Sequence, residues 1–147
     1  MLGNYTTKSA AETASLGEKL GATLKGGELV LLAGELGGGK TQFTKGIAKA
    51  LGIAETVVSP TFTIERVYAG KTLVLHHFDL YRTRQDREIL EQITEFTKSP
   101  LDVTVVEWPE NLTALTGFNH ILVDFNYVEN EDNERKISIT RRGDEWS

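Results

Sequence analysis

The chain has 147 residues, 39% of them apolar and 25% charged, which are proportions of a globular domain and not of a disordered or fibrous chain. With 16 Lys and Arg against 21 Asp and Glu, its net charge of −5 suits poorly a protein that holds nucleic acid by itself, because such binding rests on many cation–phosphate contacts. Cysteine is absent, so disulfides, thiolate catalysis and Cys-based zinc or iron–sulfur sites are excluded.

The start, Met1-Leu2-Gly3-Asn4-Tyr5, has no basic segment leading into an apolar stretch, so no secretory signal is expected. No apolar run approaches the length of a bilayer span. The expected location is the cytoplasm, and no membrane partner is expected. No linker or repeat divides the chain, and one domain over 1–147 is expected.

Ser9-Ala10-Ala11-Glu12 has the spacing of a capping box, with Ser9 as N-cap. Thr13, Leu16, Leu20 and Leu24 then share one helical face, and Gly26-Gly27 ends the helix. Leu29 to Ala33 is a continuous apolar run, as in a strand buried on both faces. A glycine-rich turn follows, and from Lys40 the pattern is helical, with Phe43, Ile47, Ala50 and Leu51 on one face and Gly52 as the stop. Val57 to Phe62 reads as an extended piece that breaks at Pro60. Ile64 to Tyr68 and Thr72 to Phe78 flank Ala69-Gly70-Lys71 as a hairpin. Asp86 to Phe96 reads as a helix and Val103 to Val106 as a strand. A last hairpin pairs the alternating Ile121, Val123, Phe125 and Tyr127 with Ile137 and Ile139, and its turn is the acidic stretch Glu129 to Glu134.

Gly34-Glu35-Leu36-Gly37-Gly38-Gly39-Lys40-Thr41 matches the phosphate-loop pattern G-x-x-x-x-G-K-[ST]. Glycines let backbone N–H groups turn inward around phosphate oxygens, and the following helix N-terminus adds its positive dipole end. Lys40 is expected on the β- and γ-phosphates and the Thr41 hydroxyl on Mg²⁺. A buried strand before the motif and an amphipathic helix after it are the context that the motif requires.

A nucleotidase of this kind also needs a carboxylate at a strand end, for the cation or the attacking water. Asp79 follows Leu73 to Phe78, and Glu107 follows Val103 to Val106. Both are expected at the carboxyl edge of the sheet, where open α/β folds bind ligands. Glu107 is assigned to the Mg²⁺ shell and Asp79 to the γ-phosphate or the water, and the spacing leaves the two exchangeable. Ser59-Pro60-Thr61-Phe62-Thr63 reads either as a γ-phosphate-sensing segment or as an ordinary turn. His76 and His77 read as satisfied structural histidines, one facing inward; His120 has no ligand-like spacing to them. Arg82, Arg84 and Arg87 are either transition-state cations or a solvated face, and Trp108 either stacks near the base or packs at the rim.

Taken together, LxGELGxGKT, SPTFT, HFDLYR and VVEWPE, here Leu32 to Thr41, Ser59 to Thr63, His77 to Arg82 and Val105 to Glu110, resemble the TsaE (YjeE) family. These are small bacterial P-loop ATPases of tRNA threonylcarbamoyladenosine biosynthesis. The resemblance implies an α/β, P-loop NTPase-like three-layer fold, its sheet mostly parallel with antiparallel hairpin additions. It implies ATP and Mg²⁺ as ligands and slow ATP hydrolysis by the protein alone. It also implies two partner proteins, the threonylcarbamoyl transferase and its paralogous scaffold subunit, with tRNA reached only through that complex. Carried onto this chain, Lys40, Asp79 and Glu107 are the catalytic residues. Gly37, Gly38, Gly39, Lys40, Thr41, Gln42, Thr61 and Trp108 are the nucleotide contacts, with Thr13 near the adenine, and Thr41 and Glu107 hold the metal. Gly38 stands where alanine is frequent, and Gln42 where a second threonine is usual. A small-molecule kinase and a nucleotide-controlled docking module are the competing functions. No insertion large enough for an acceptor site and a lid favours the kinase.

Overall fold

A computed structural model describes residues 1–34, 39–58, 64–128 and 131–143, without the side chains of 131–133. Its elements are β1 (Gly3–Thr7), α1 (Ala10–Gly21), β2 (Leu29–Gly34), α2 (Gly39–Ala50), β3 (Glu65–Ala69), β4 (Val74–Asp79), α3 (Arg87–Thr97), β5 (Asp102–Glu107), β6 (His120–Val128) and β7 (Glu131–Arg142). Two short 3₁₀ turns, Pro109–Asn111 and Thr113–Gly117, lie between β5 and β6. All strands join one sheet in the order β1-β7-β6-β2-β5-β4-β3. The centre, β6-β2-β5-β4, is parallel throughout. Antiparallel strands extend it at both sides: β3 on β4, and β7 then β1 on β6.

The parallel centre explains the apolar run of β2. Leu29 to Leu32 are buried on both faces, α1 and α2 covering one and α3 with the 3₁₀ turns covering the other. Leu32, Val105, Val123 and Phe125 pack with Leu16, Phe43 and Ile47 in the first core. Leu31, Phe78 and Val106 pack with Ile89, Ile93 and Leu115 in the second. The result is three layers with a mixed sheet in the middle, the expected fold class.

The two helices of the first layer sit unusually close. A Cβ on Gly17 would collide with the carbonyl oxygen of Phe43, and one on Gly46 with that of Ala14. Small residues at the crossing thus fix α1 against α2, which carries Lys40 and Thr41. The α1 start is capped as expected, with Ser9 Oγ accepting from the Glu12 amide at 3.1 Å. The Glu12 carboxylate returns to the Lys8 amide, at 3.2 Å, and not to that of the cap residue.

Three features depart from the sequence expectation. α1 ends at Gly21, where the Thr23 and Leu24 amides tighten onto the Leu20 and Gly21 carbonyls, so the helix stops before Gly26-Gly27 and Leu24 reaches the core from beyond it. β1 forms although Gly-Asn-Tyr-Thr-Thr carries no apolar alternation; it adds to the free edge of β7, pairing Tyr5 with Ile137 and Thr7 with Arg135. The acidic stretch Glu129 to Glu134 is not all turn. Strand β7 already begins at Glu131, and a register shift at Tyr127/Val128 lets Glu131 pair with Val128. Backbone pairing overrides the turn-like composition there; 129 and 130 lie outside the described residues. No helix among the described residues is long and apolar enough to cross a membrane.

Candidate active site

β2 ends at Gly34, whose φ of +123° and approach to the Phe125 carbonyl leave no room for a side chain. Gly37 and Gly38 of the expected phosphate loop lie outside the described residues, as does Thr61 with its neighbours 59–63. The chain is described again from Gly39, the first residue of α2, which rests on the Phe125 ring. Both ends of the loop are therefore built on one residue of β6. Lys40 follows, 4% exposed, with Thr41 and Gln42 half-buried in the same first turn.

The charges of three carboxylates act on Lys40. Burial pushes its ammonium below the ordinary lysine range, and the charges of Glu107, Glu110 and Asp79 act against that shift. Asp79 and Glu107 are register partners at the ends of β4 and β5. Since β5 pairs directly with β2, Leu32 opposite Glu107, Glu107 stands beside the strand that enters the loop. Asp79 is one strand farther. Its Oδ1 accepts from the Tyr81 amide at 3.0 Å, which turns the chain sharply after β4.

Glu107 is 6% exposed and His77 fully buried, with His77 Nε2 and Glu107 Oε2 2.6 Å apart. Of the two histidines expected to be structural, His76 is one: its ring nitrogens meet Glu65 at 3.0 Å and Asp102 at 2.7 Å, and the ring stacks on Phe96. His77 belongs instead with the acids. His77 and Asp79 are two residues apart on one strand and so share a face, but that spacing does not show the partner on β5. Glu110 is the other residue that the sequence reading missed; it is exposed in the turn after Trp108, and its charge still reaches Lys40.

Trp108 is in the left-handed region, φ 59° and ψ 51°, at the start of the first 3₁₀ turn. That conformation is costly for a bulky residue. It brings the indole within 4.4 Å of Lys40 Nζ, with the Tyr81 ring at 5.0 Å. The loops after β4 and β5 are tied together. Asn111 Nδ2 donates to the Leu80 carbonyl at 2.7 Å, the Gln85 amide donates to the Asn111 carbonyl at 2.8 Å, and Gln85 Oε1 accepts from the Thr113 amide at 3.1 Å. Arg82, Arg84 and Arg87 are exposed on this loop and the start of α3.

Thr13 is 2% exposed, and its hydroxyl shares a 2.7 Å hydrogen bond with that of Thr7. In this structure it ties α1 to β1. Among the described residues no three His, Cys, Asp or Glu side chains form a ready-made metal cluster. The two strand-end carboxylates and the Thr41 hydroxyl are hard oxygen donors, a set that fits a divalent cation shared with phosphate oxygens. A buried ammonium beside a helix N-terminus fits the phosphates themselves.

Comparisons with known proteins give the family of the chain. A family model described as "Threonylcarbamoyl adenosine biosynthesis protein TsaE" matches residues 7–137. The chain is 39% identical over 133 residues to a tRNA threonylcarbamoyladenosine biosynthesis protein TsaE of Treponema pallidum, covering 90% of this chain and 96% of that one. It is 34% identical to the one of Bacillus subtilis, covering 97% and 87%. With the Synechocystis protein of that name it shares 43% identity over 67% of this chain, and it spans 65% of that protein's length. A crystal structure of Bacillus subtilis YdiB superposes with a TM-score of 0.78 at 31% identity, covering 95% of this chain and 85% of that one. A match over nearly the whole chain, with a solved relative of the same fold, makes the chain a member of the TsaE family.

Proposed function

We propose that the chain binds Mg·ATP at the α2 N-terminus and hydrolyses it in the cytoplasm, in support of threonylcarbamoyladenosine formation in tRNA. Its partners in this reading are the threonylcarbamoyl transferase and that enzyme's paralogous scaffold subunit. The observation that carries the reading is the buried Lys40 side chain at the start of α2, on which the charges of Glu107, Glu110 and Asp79 act. A lysine so placed has a reason to be there when it meets a polyphosphate.

Lys40 and the first amides of α2 bind the β- and γ-phosphates and hold developing charge. Thr41 and Glu107 are the residues that would hold Mg²⁺, which when bound would neutralise charge on the phosphates. Asp79, one strand farther from the loop, orients the attacking water or reads the γ-phosphate. Trp108 covers the site edge beside Lys40.

Calorimetric titration with ATP, with and without Mg²⁺, tests the binding half of this account. Wild type should bind, more tightly with Mg²⁺, and Lys40→Ala should lose at least about 100-fold in affinity. Equal affinity in the variant would overturn it. Product analysis separates hydrolysis from the kinase reading: free phosphate against phosphate on an acceptor.

A further inference from the structure

The pair His77–Glu107 is an odd element in an otherwise apolar layer. On the same face of the same two strands, Leu75, Val103 and Val105 are fully buried in the first core. Another aliphatic residue at 77 would suit that layer. The imidazole there is fully buried, and its Nδ1 has no hydrogen-bond partner among the described residues. An orphaned buried nitrogen costs free energy, so packing alone does not account for the histidine. Its other nitrogen makes one short bond, 2.6 Å, to Glu107 Oε2. With Nε2 as the donor in this bond, the ring proton is on Nε2 and Nδ1 is bare.

We infer that His77 is a positioning residue: it holds the Glu107 carboxylate by Oε2 and leaves Oε1 as the oxygen offered to the divalent cation. The inference rests on the proposed Mg·ATP site. Carboxylates that bind metals are commonly fixed by a second hydrogen bond, and losing that bond typically lowers metal affinity 10–100-fold. His77 itself contacts neither phosphate nor cation in this account.

The test compares wild type, His77→Leu and His77→Gln by calorimetric titration with ATP over a series of Mg²⁺ concentrations, and without Mg²⁺. His77→Leu should raise the Mg²⁺ concentration for half-maximal enhancement of ATP binding by about 10-fold or more. Binding of ATP without Mg²⁺ should be unchanged. His77→Gln keeps a donor near the Nε2 position and should recover most of the difference. If both variants match wild type, or if glutamine recovers nothing that leucine lost, the inference is overturned. Equal losses with and without Mg²⁺ would also overturn it, since they would mark a general defect of the fold. In wild type, ¹⁵N NMR of the His77 ring should show a protonated Nε2 and a bare Nδ1; the reverse tautomer contradicts the inference even where a variant fails to fold. Failure of the Mg·ATP reading looks different: wild type itself would then bind ATP no better with Mg²⁺, and the His77 role would fall with it.

Discussion

Asp79 and Glu107 face each other as direct register partners at the carboxyl ends of β4 and β5. Parallel neighbours with equal ends set two acids side by side, but only β5 touches β2, the strand that leads into the phosphate loop. That asymmetry is the ground for the proposed division of roles, which residue spacing leaves exchangeable. Glu107→Gln should raise the Mg²⁺ requirement for phosphate release and slow the release by about 100-fold. Asp79→Asn should slow release without moving the Mg²⁺ requirement. Steady-state rates over a Mg²⁺ series check both, and the opposite pattern would reverse the assignment.

Trp108 sits over Lys40 with its backbone in the left-handed region. A phosphate that draws Lys40 off the indole changes the ring's surroundings. In a Trp146→Phe background, which leaves Trp108 as the sole tryptophan, adding Mg·ATP should change the emission. Lys40→Ala should remove that response. Unchanged emission on saturation would place Trp108 away from the nucleotide.

Gly46 sets the distance between α1 and α2. Alanine there gains about 1 kcal/mol of helix propensity, yet its Cβ collides with the Ala14 carbonyl, a backbone atom that no rotamer change can move. Overpacking of that kind costs up to about 3 kcal/mol, so the collision wins. Gly46→Ala should destabilise the chain by about 2 kcal/mol net in urea unfolding. A neutral or stabilising effect would mean that the helices are not in this close crossing.

Burial tends to raise the carboxyl of Asp102, but hydrogen bonds from Ser99 and His76 and the charge of His76 outweigh it and hold it below the ordinary carboxylate range. A group whose folded value is depressed contributes stability above its unfolded value and loses it as pH falls through the folded one. Wild type should therefore exceed Asp102→Asn in stability at pH 7. The gap should narrow as pH drops below about 4. Urea midpoints at several pH values measure it, and a gap constant down to pH 3 would contradict the assignment.

Much of the fold was legible because its signals were local. The β2 run and the α1 cap correspond to a strand buried on both faces and a side-chain N-cap. β1 was not legible, since Gly-Asn-Tyr-Thr-Thr has no apolar alternation and forms a strand along the edge that β7 offers, with Tyr5 alone packing on the core. The β7 start was misread because composition says nothing of pairing across a register shift. At the candidate site, Asp79 and Glu107 were legible as strand-end acids. The bond from His77 to Glu107 was not, because it crosses between strands thirty residues apart in sequence. Glu110 acts on Lys40 through charge and not through a motif position.

The most direct test of the account is phosphate release from Mg·ATP by the purified chain, alone and with the two partner proteins, with Lys40→Ala as control. The account predicts slow release alone, faster release with partners, and loss of both in the variant. Release that partners leave unchanged, or that persists at the same rate in Lys40→Ala, would contradict it.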